Sequence, residues 1–378
     1  MEVVATEGAA RAGTVRTARG SYATPAFMPV GTRGAVKALD SVDLGALGAE
    51  VVLANTYHLM LRPGVGTVAR LGGLHRFTGW DGHTLTDSGG YQVHSLGPSV
   101  DDDGVTFASV YDGDRVRLTP ESVVEAQGLI GADIQMVLDV CATLPASPDV
   151  LRVAVERTAA WAGRARRHHD RLEARPEAQA LFGIVQGGTD PVLRAESAQR
   201  TVAVGFDGYG IGGLSVGEPR PAMLEALAAT VPHLPADRPR YLMGVGDPAS
   251  LMMGIGLGVD MFDCVLPTRL GRHGTALTSS GRLAAKAARS STDSSPLDPA
   301  CDCPVCARHS RAYIRHLFNV GEPSAGRLVT LHNLAWLSQL VRRAREAVLD
   351  GTFARLAGEV TEVWGPRVAP GRQAEQLG

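Results

Sequence analysis

The chain has 378 residues and a mass of 39.7 kDa, with 44% hydrophobic residues, 20% charged residues and a formal net charge of −2. This length allows two or three domains, or one large barrel with an appendage. The apolar content supplies a sizeable core and argues against a disordered chain. Only five cysteines are present, and no apolar run approaches the length of a membrane span. We therefore expect no disulfide scaffold, no signal peptide and no transmembrane helix, and we predict a soluble cytoplasmic protein.

Short apolar segments that favour strands alternate along the chain with segments of helical periodicity. The predicted strands are 50–54, 84–86, 134–138, 181–185, 208–212, 240–243 and 261–265. The predicted helices between them are 120–131, 149–178, 191–204, 220–231 and 248–258. This alternation is typical of βαβ units and a parallel sheet.

Polar residues and glycines follow at least five of these strands directly. An open, doubly wound sheet would collect such residues mainly at one switch point, whereas a barrel gathers all strand ends on one face. The sequence therefore predicts an α/β fold, a (β/α)8 TIM barrel, with an appended zinc-binding subdomain. We expect the barrel and its N-terminal strands over 1–296, the subdomain over 297–345, and a C-terminal helix with a tail over 346–378.

A cysteine-rich segment lies near the C-terminus and has the spacing C-x-C-x2-C. Three thiols can surround one ion, and a tetrahedral zinc site requires a fourth ligand. The predicted ligands are Cys301, Cys303, Cys306 and His332, with His309 and His316 as alternatives for the imidazole. A Cys3His site leaves no open position for water, so we expect one structural zinc ion per chain.

Three aspartates lie at or near strand ends, at Asp87, Asp139 and Asp263. Paired carboxylates at one cavity can divide the work of glycosyl transfer, because one attacks the anomeric carbon and the other moves protons. The alternative for each aspartate alone is a helix cap or a salt bridge. For the set of three, catalysis is the better interpretation.

Further residues at strand ends have the chemistry to recognise a flat heterocycle. Gln186 and the glycines around Gly213 offer an amide side chain and accessible backbone groups, and Tyr91 and Met243 offer faces that pack on rings. A core position for Met243 is an equally good interpretation of the sequence alone.

Several motifs together resemble those of one family, the bacterial tRNA-guanine transglycosylases of the queuosine pathway. The resemblance covers essentially the whole chain. Its landmarks are NTYHL at 55–59, DSGGYQ at 87–92, GIVQGG at 183–188, DMFDCVLPTR at 260–269 and the cysteine and histidine set. It implies a pentosyltransferase that exchanges guanine at the wobble position of GUN anticodons for 7-aminomethyl-7-deazaguanine.

The resemblance also implies residue roles. Asp263 would be the nucleophile that forms a covalent aspartyl-ribose intermediate, and Asp87 the general acid/base. The base would be bound by Tyr91, Asp139, Cys141, Gln186, Gly213, Leu214, Val216 and Met243. No acidic residue occurs between positions 264 and 292, and tRNA contacts are expected there from Arg269, Arg272, Arg282, Lys286 and Arg289.

The resemblance implies a homodimer that has tRNA as its partner. It does not settle which base the enzyme prefers, because two residues depart from the family pattern. Val140 stands where relatives usually carry glutamate, and Ala142 replaces a usual threonine.

Three other functions compete: a non-catalytic tRNA-binding subunit of the same family, a related transglycosylase acting on DNA, and an unrelated barrel hydrolase with catalytic zinc. The pair Asp87 and Asp263 argues against the first, and a closed metal site argues against the third.

Overall fold

The computed structural model describes residues 1–172 and 179–365. In chain order its strands are β1 (Glu2–Glu7), β2 (Ala10–Thr17), β3 (Gly20–Thr24), β4 (Ala26–Met28), β5 (Val51–Asn55), β6 (His83–Asp87), β7 (Ser99–Val100), β8 (Val105–Ala108), β9 (Arg115–Leu118), β10 (Ile134–Met136), β11 (Ala180–Val185), β12 (Gly208–Ile211), β13 (Arg240–Leu242), β14 (Met261–Asp263), β15 (Thr275–Thr278) and β16 (Gly281–Ala284).

The helices are α1 (Ser41–Ala46), α2 (Thr56–Leu61), α3 (Val65–Arg70), α4 (Gly73–Thr78), α5 (Gly90–His94), α6 (Pro120–Ile130), α7 (Pro148–Leu172), α8 (Pro191–Val204), α9 (Arg220–Thr230), α10 (Pro248–Gly256), α11 (Leu266–Arg272), α12 (Arg311–Asn319), α13 (Pro323–Leu349) and α14 (Phe353–Trp364). Two short 3-10 turns lie at Val231–His233 and Ala288–Ser290.

Eight parallel strands form the central sheet, in the order β4-β14-β13-β12-β11-β10-β6-β5. A parallel bridge between Val30 and Leu53 brings the two ends of this sheet together. The Gly31 amide donates to the Leu53 carbonyl at 2.6 Å, and the Leu53 amide donates to the Pro29 carbonyl at 3.0 Å. The predicted barrel is therefore confirmed, and its strand ends share one face.

All seven predicted strands are barrel strands, with ends that differ from the prediction by a few residues at most. The eighth strand, β4, was missed by the sequence analysis. It has only three residues, all buried, and prolines at Pro25 and Pro29 flank it. A run this short carries no periodic signal, although it pairs with β14 in register, with Met28 opposite Asp263.

The five predicted helices correspond to α6 to α10, and the last part of the predicted 149–178 segment lies outside the described residues. The start of α6 shows why this helix could be predicted from the sequence. Thr119 and Ser122 form a reciprocal capping box, and Pro120 occupies the first turn, where its missing amide costs nothing.

The antiparallel sheet β1-β2-β3 packs against the barrel through a buried ion pair. Arg11 on β2 donates from Nε to Oδ1 of Asp260 at 2.7 Å, and both side chains are almost fully buried. Asp260 immediately precedes β14 and also accepts from the Arg240 amide at 2.7 Å. This contact anchors the start of the strand that ends at Asp263.

In the two described ranges, no helix is long and apolar enough to cross a membrane.

Two small sheets that the sequence analysis did not predict are inserted around the barrel. The sheet β7-β8-β9 lies between α5 and α6, and the hairpin β15-β16 follows α11. The long helix α13 packs on α11 and on β15. It also runs across residue 345, where the sequence placed a domain boundary, so the proposed division over 297–345 cuts a continuous helix.

Candidate active site and metal cluster

A cavity of about 340 Å³ opens at the carboxyl ends of the barrel strands. This is within the usual range for a small-molecule site. Nine of the ten predicted catalytic and base-binding residues line it: Asp87, Tyr91, Asp139, Cys141, Gly213, Leu214, Val216, Met243 and Asp263. The tenth, Gln186, is buried and contacts Asp139. The barrel thus brings together residues that are spread over more than 170 positions of the sequence.

Asp87, the last residue of β6, is buried and held by three donors. The Asn55 side chain and Gln92 Nε2 (3.1 Å) donate to Oδ2, and the Thr56 amide donates to Oδ1 at 2.9 Å. The pairing of β5 with β6 places Asn55 directly opposite Asp87, which explains the first contact. The carboxylate is therefore fixed in orientation.

Burial raises the pKa of Asp87 from 3.8 to about 6, against the effect of its hydrogen bonds and with a small contribution from the charge of Asp263. A carboxyl group that titrates near neutral pH can both give and accept a proton under physiological conditions. The environment of Asp87 is thus suited to general acid/base chemistry.

Asp263, the last residue of β14, is partly exposed to the cavity. It accepts from the Tyr241 hydroxyl at 2.6 Å and from the Gly244 amide at 2.7 Å, and both bonds end at Oδ1. Burial raises its pKa, while these two donors oppose the rise by stabilising the charged form. Among the described residues no hydrogen bond to Oδ2 is formed, so this oxygen is available to a ligand.

Asp139 follows β10 and pairs with Gln186 at the end of the neighbouring strand β11. Gln186 Nε2 donates to Asp139 Oδ2 at 2.6 Å, and Ser88 Oγ lies 3.4 Å from Oδ1. Burial raises the pKa of Asp139 to about 6. An amide and a carboxyl side by side offer both donor and acceptor groups to the edge of a heterocycle.

The loop after β12 completes this side of the cavity. Gly213 has a φ of +64°, and a Cβ there would lie 2.3 Å from Gln186 Oε1, so only glycine fits. Further along, Glu218 accepts from the amides of Ser215 and Val216, the latter at 3.0 Å. The loop is therefore held by its own carboxylate, which the sequence analysis did not identify.

Buried Arg194 supports the same loop from helix α8. Its Nε donates to the Gly188 carbonyl at 2.6 Å, and its Nη1 donates to the Gly212 carbonyl at 2.8 Å. Burial lowers its pKa to about 9. Arg194 thus ties together the ends of β11 and β12, where the predicted base-binding residues lie.

The two predicted stacking residues differ in exposure. Tyr91 on α5 is 61% exposed, whereas Met243 after β13 is partly buried at the cavity wall. Met243 therefore lines the cavity and also packs against the core, so its position agrees with both interpretations of the sequence.

The five predicted basic residues lie outside the cavity and follow β14 in the chain. Arg269 and Arg272 are on α11, and the others are on or after β16. Four are exposed and one is partly exposed: Arg269, Arg282, Lys286 and Arg289, and then Arg272. They form a basic surface next to the end of β14.

The predicted metal ligands Cys301, Cys303, Cys306 and His332 form a cluster in which the potential ligand atoms all lie within 4.8 Å of one another. Nδ1 of His332 is 3.5 Å and 3.3 Å from the Sγ atoms of Cys303 and Cys306. Nε2 of His332 lies 2.7 Å from the Leu277 carbonyl, to which it donates. This bond leaves the Nδ1 lone pair facing the three thiols, which is the arrangement that a metal ligand needs.

His309 and His316, the alternative ligands, are not part of the cluster. His309 stacks on Tyr313 with ring centroids 5.2 Å apart, and His316 is exposed on α12. The prediction of His332 from sequence is therefore confirmed as the histidine of the cluster, which can hold a metal ion.

The sequence model of the queuine tRNA-ribosyltransferase family matches residues 6–366. The chain belongs to this family. Proteins named queuine tRNA-ribosyltransferase are similar over nearly their full length. One from Solidesulfovibrio magneticus is 50% identical over 360 residues, covering 95% of this chain and 96% of its own. Another from Desulforudis audaxviator is 52% identical over 349 residues, covering 92% and 93%.

A third relative of the same name, from Listeria welshimeri, is 49% identical over 358 residues, covering 94% of this chain and 93% of its own. The queuine tRNA-ribosyltransferase family thus accounts for the whole barrel and the metal cluster together. The resemblance drawn from the sequence motifs is confirmed at the level of the family.

The structure adds site residues to which the sequence analysis assigned no role. Asn55 and Gln92 orient Asp87, and Tyr241 orients Asp263. Tyr241 could have been found, because it lies two residues before Met243 and alternate residues of a strand face the same side. Asn55 could not, since its role depends on the register between β5 and β6.

Proposed function

We propose that this queuine tRNA-ribosyltransferase family member exchanges guanine at the wobble position of GUN anticodons for 7-aminomethyl-7-deazaguanine. The observation that carries the proposal is the pair Asp87 and Asp263 at one cavity, with separate donors for each carboxylate. The chemistry is a pentosyl transfer with two displacements at one carbon, which preserves its configuration.

In the first displacement, Oδ2 of Asp263 attacks C1′ of the ribose. The new bond is C1′–Oδ2, and the bond that breaks is C1′–N9, whose electron pair leaves with guanine. Tyr241 and the Gly244 amide hold the other carboxylate oxygen, so the attacking atom is oriented before substrate arrives.

Asp87 completes the proton balance of the exchange. It protonates N9 of the departing guanine and later removes a proton from N9 of the incoming base, which attacks C1′ and releases Asp263. Its pKa of about 6 suits both directions of transfer. The first role requires the protonated form and the second the ionised form.

Base recognition is proposed for the opposite part of the cavity wall. Asp139 and Gln186 would read the guanine-like edge together with the Gly213 amide, and the Leu214 carbonyl would accept from the aminomethyl group. Tyr91 and Met243 would cover the ring faces, and Cys141 and Val216 would limit the space for larger bases. A pocket of this kind discriminates by about 1–3 kcal/mol per methylene.

The basic surface after β14 is proposed to contact the phosphates of the anticodon loop, through Arg269, Arg272, Arg282, Lys286 and Arg289. Phosphate contacts position an RNA, whereas the cavity binds the flipped base.

We further propose that the protein is a homodimer and lies in the cytoplasm. A tRNA substrate is preferred to DNA because all three relatives are named as tRNA-ribosyltransferases.

The metal cluster is proposed to hold one zinc ion. Three thiolates and one imidazole are a donor set that favours zinc, and four protein ligands close the coordination sphere. None of the four ligands lines the cavity. The ion would therefore stabilise the C-terminal region and take no part in the exchange.

The test is incorporation of labelled guanine into unmodified tRNA with a GUN anticodon. Wild-type protein should incorporate the label, and Asp263→Ala should not, because no bond to C1′ can form. Asp237→Ala, which removes an exposed carboxylate outside the cavity, should keep wild-type activity. Absence of incorporation by folded, zinc-loaded wild type would contradict the proposal.

A control substrate distinguishes RNA from DNA exchange. The same assay with a DNA copy of the anticodon stem-loop should give no incorporation. Exchange on the DNA and none on the tRNA would support the DNA transglycosylase instead, and binding of tRNA without exchange would support the non-catalytic subunit.

A further inference from the structure

Two arginines share one tyrosine ring beside His58, which lines the cavity. The guanidinium carbon of Arg62 lies 4.4 Å from the ring centroid of Tyr111, and that of Arg33 lies 5.6 Å from it. The Tyr111 hydroxyl is 3.3 Å from Nδ1 of His58. These four residues are called the Tyr111 cluster below.

The cluster lies on the part of the rim between the two catalytic carboxylates. Arg33 follows β4, and Arg62 directly follows α2, which begins at the end of β5. In the sheet order, β4 and β5 stand between β14 and β6, the strands that end in Asp263 and Asp87. Thr32 and His58 line the cavity itself. The cluster is therefore on the ribose side of the cavity, away from β10, β11 and β12.

The two guanidinium groups are exposed, and among the described residues neither forms an ion pair or a hydrogen bond with a carboxylate. Hydrogen bonds from Ser109 and Asp114 lower the pKa of Asp112, and the charge of Arg62 contributes to this shift, but Arg62 and Asp112 form no ion pair. Burial and the charge of Arg33 lower the pKa of His58, so its imidazole is neutral at pH 7. Two positive charges thus lie against one aromatic ring, and no carboxylate of the described residues forms an ion pair with them.

Resting on the proposed function, we propose that the Tyr111 cluster binds a backbone phosphate of the substrate RNA, on the other side of the flipped nucleotide from α11. The ribose held at Asp263 is continuous with a phosphate on each side. The basic surface on and after α11 serves one of them, and the Tyr111 cluster serves the other. Planar guanidinium groups suit this role because they bind phosphate through paired hydrogen bonds.

Tyr111 acts as the platform that holds both arginines in position before the RNA arrives. Stacking of a guanidinium on an aromatic ring fixes its plane while its N–H groups remain free for a ligand. Tyr111 lies in the turn between β8 and β9, so the inserted sheet β7-β8-β9 would serve to position the two arginines.

The test is the double variant Arg33→Ala/Arg62→Ala in steady-state guanine exchange with GUN tRNA. We expect the KM for tRNA to rise on the order of tenfold, while kcat and the KM for guanine stay within about twofold. The salt dependence of kcat/KM for tRNA should weaken by about one unit of slope, because about one phosphate contact is lost. Arg33→Lys/Arg62→Lys keeps both charges and should keep the wild-type slope.

Arg355→Ala is the matched control, since Arg355 is an exposed arginine on α14 that does not line the cavity. It should leave the KM for tRNA and the salt slope unchanged. If the double alanine variant unfolds at lower temperature but keeps the wild-type KM and slope, the cluster is structural and the proposal is wrong. Inactive wild type would instead overturn the proposed function, so the two failures are distinguishable.

Discussion

The cavity and the metal cluster both gather buried, chemically reactive side chains, yet they do so in opposite ways. At the cavity, the polar groups come from the ends of different strands, and some atoms, such as Oδ2 of Asp263, face open space. At the cluster, three thiols from one short loop meet one imidazole from α13, and the remaining nitrogen of His332 is bonded to Leu277. Polar atoms of the cavity remain available to a ligand, whereas the thiols and the imidazole of the cluster face one another.

This difference indicates which of the two regions contributes to the free energy of unfolding and which to the reaction rate. Burial raises the pKa of Asp87 and Asp139 to about 6, so their ionised forms are stabilised less than in water. At the cluster, a bound metal ion would compensate the buried thiolates. We therefore expect changes at the cluster to alter stability most, and changes at the cavity to alter rates most.

The largest expected effect is at the cluster. Cys303→Ser should remove the bound zinc and lower the free energy of unfolding by at least about 3 kcal/mol, because metal binding contributes directly to folding. Zinc content per chain and urea denaturation measure the two effects. Cys264→Ser, at a thiol outside the cluster, should keep one zinc ion. Full stability of metal-free Cys303→Ser would show that the cluster does not need the ion.

The next effect is at the cavity and concerns rate. Asp87→Asn should lower kcat by a factor of about 10² to 10⁴, the usual range for loss of a general acid/base. The zinc content should not change, since Asp87 is not in the cluster. Single-turnover exchange with labelled guanine gives the rate. A loss below about threefold would be incompatible with proton transfer by this carboxyl.

The smallest effect sharpens the role of the hydrogen bonds around Asp87. The Asn55 donor lowers the pKa of Asp87, while burial raises it. Asn55→Ala removes the opposing influence, so the pKa should rise above about 6. In the proposed mechanism, attack by the incoming base needs ionised Asp87, so the rate should fall as pH drops through this pKa. The acidic limb of the pH profile should therefore move upward by about one unit.

A pH–rate profile of kcat/KM for guanine, with tRNA saturating, measures this shift. The control is Gln186→Ala, which removes a donor to Asp139 and should change the KM for guanine rather than the limb assigned to Asp87. An unchanged limb in Asn55→Ala would assign the titration to another group.

Much of the fold was predictable because its signals are local. The predicted strands are short segments that favour strands, and polar residues or glycines follow at least five of them. Thr119 and Pro120 mark the start of α6. The strand β4 and the hairpin β15-β16 lack such signals. Their three and four residues are strands because of long-range pairing or packing on α13.

The site was predictable to the extent that its residues lie at strand ends or in a fixed spacing. Asp263, Asp139 and the cysteines satisfy that condition. The partners that orient them do not, because Asn55 reaches Asp87 only through strand register, and Leu277 reaches His332 across 55 positions. Sequence therefore located residues that line the cavity or form the metal cluster, and the three-dimensional structure supplied the contacts that hold them in place.

The pairing of β4 with β14 sets when the enzyme can first become competent. The strand at Ala26–Met28 has to wait for Met261–Asp263, so the ring is completed only after more than two thirds of the chain has been synthesised. The last barrel strand to be synthesised also carries Asp263, the proposed nucleophile. A nascent chain that lacks residues 261–263 therefore lacks both the β4 pairing that completes the barrel and the carboxylate of Asp263.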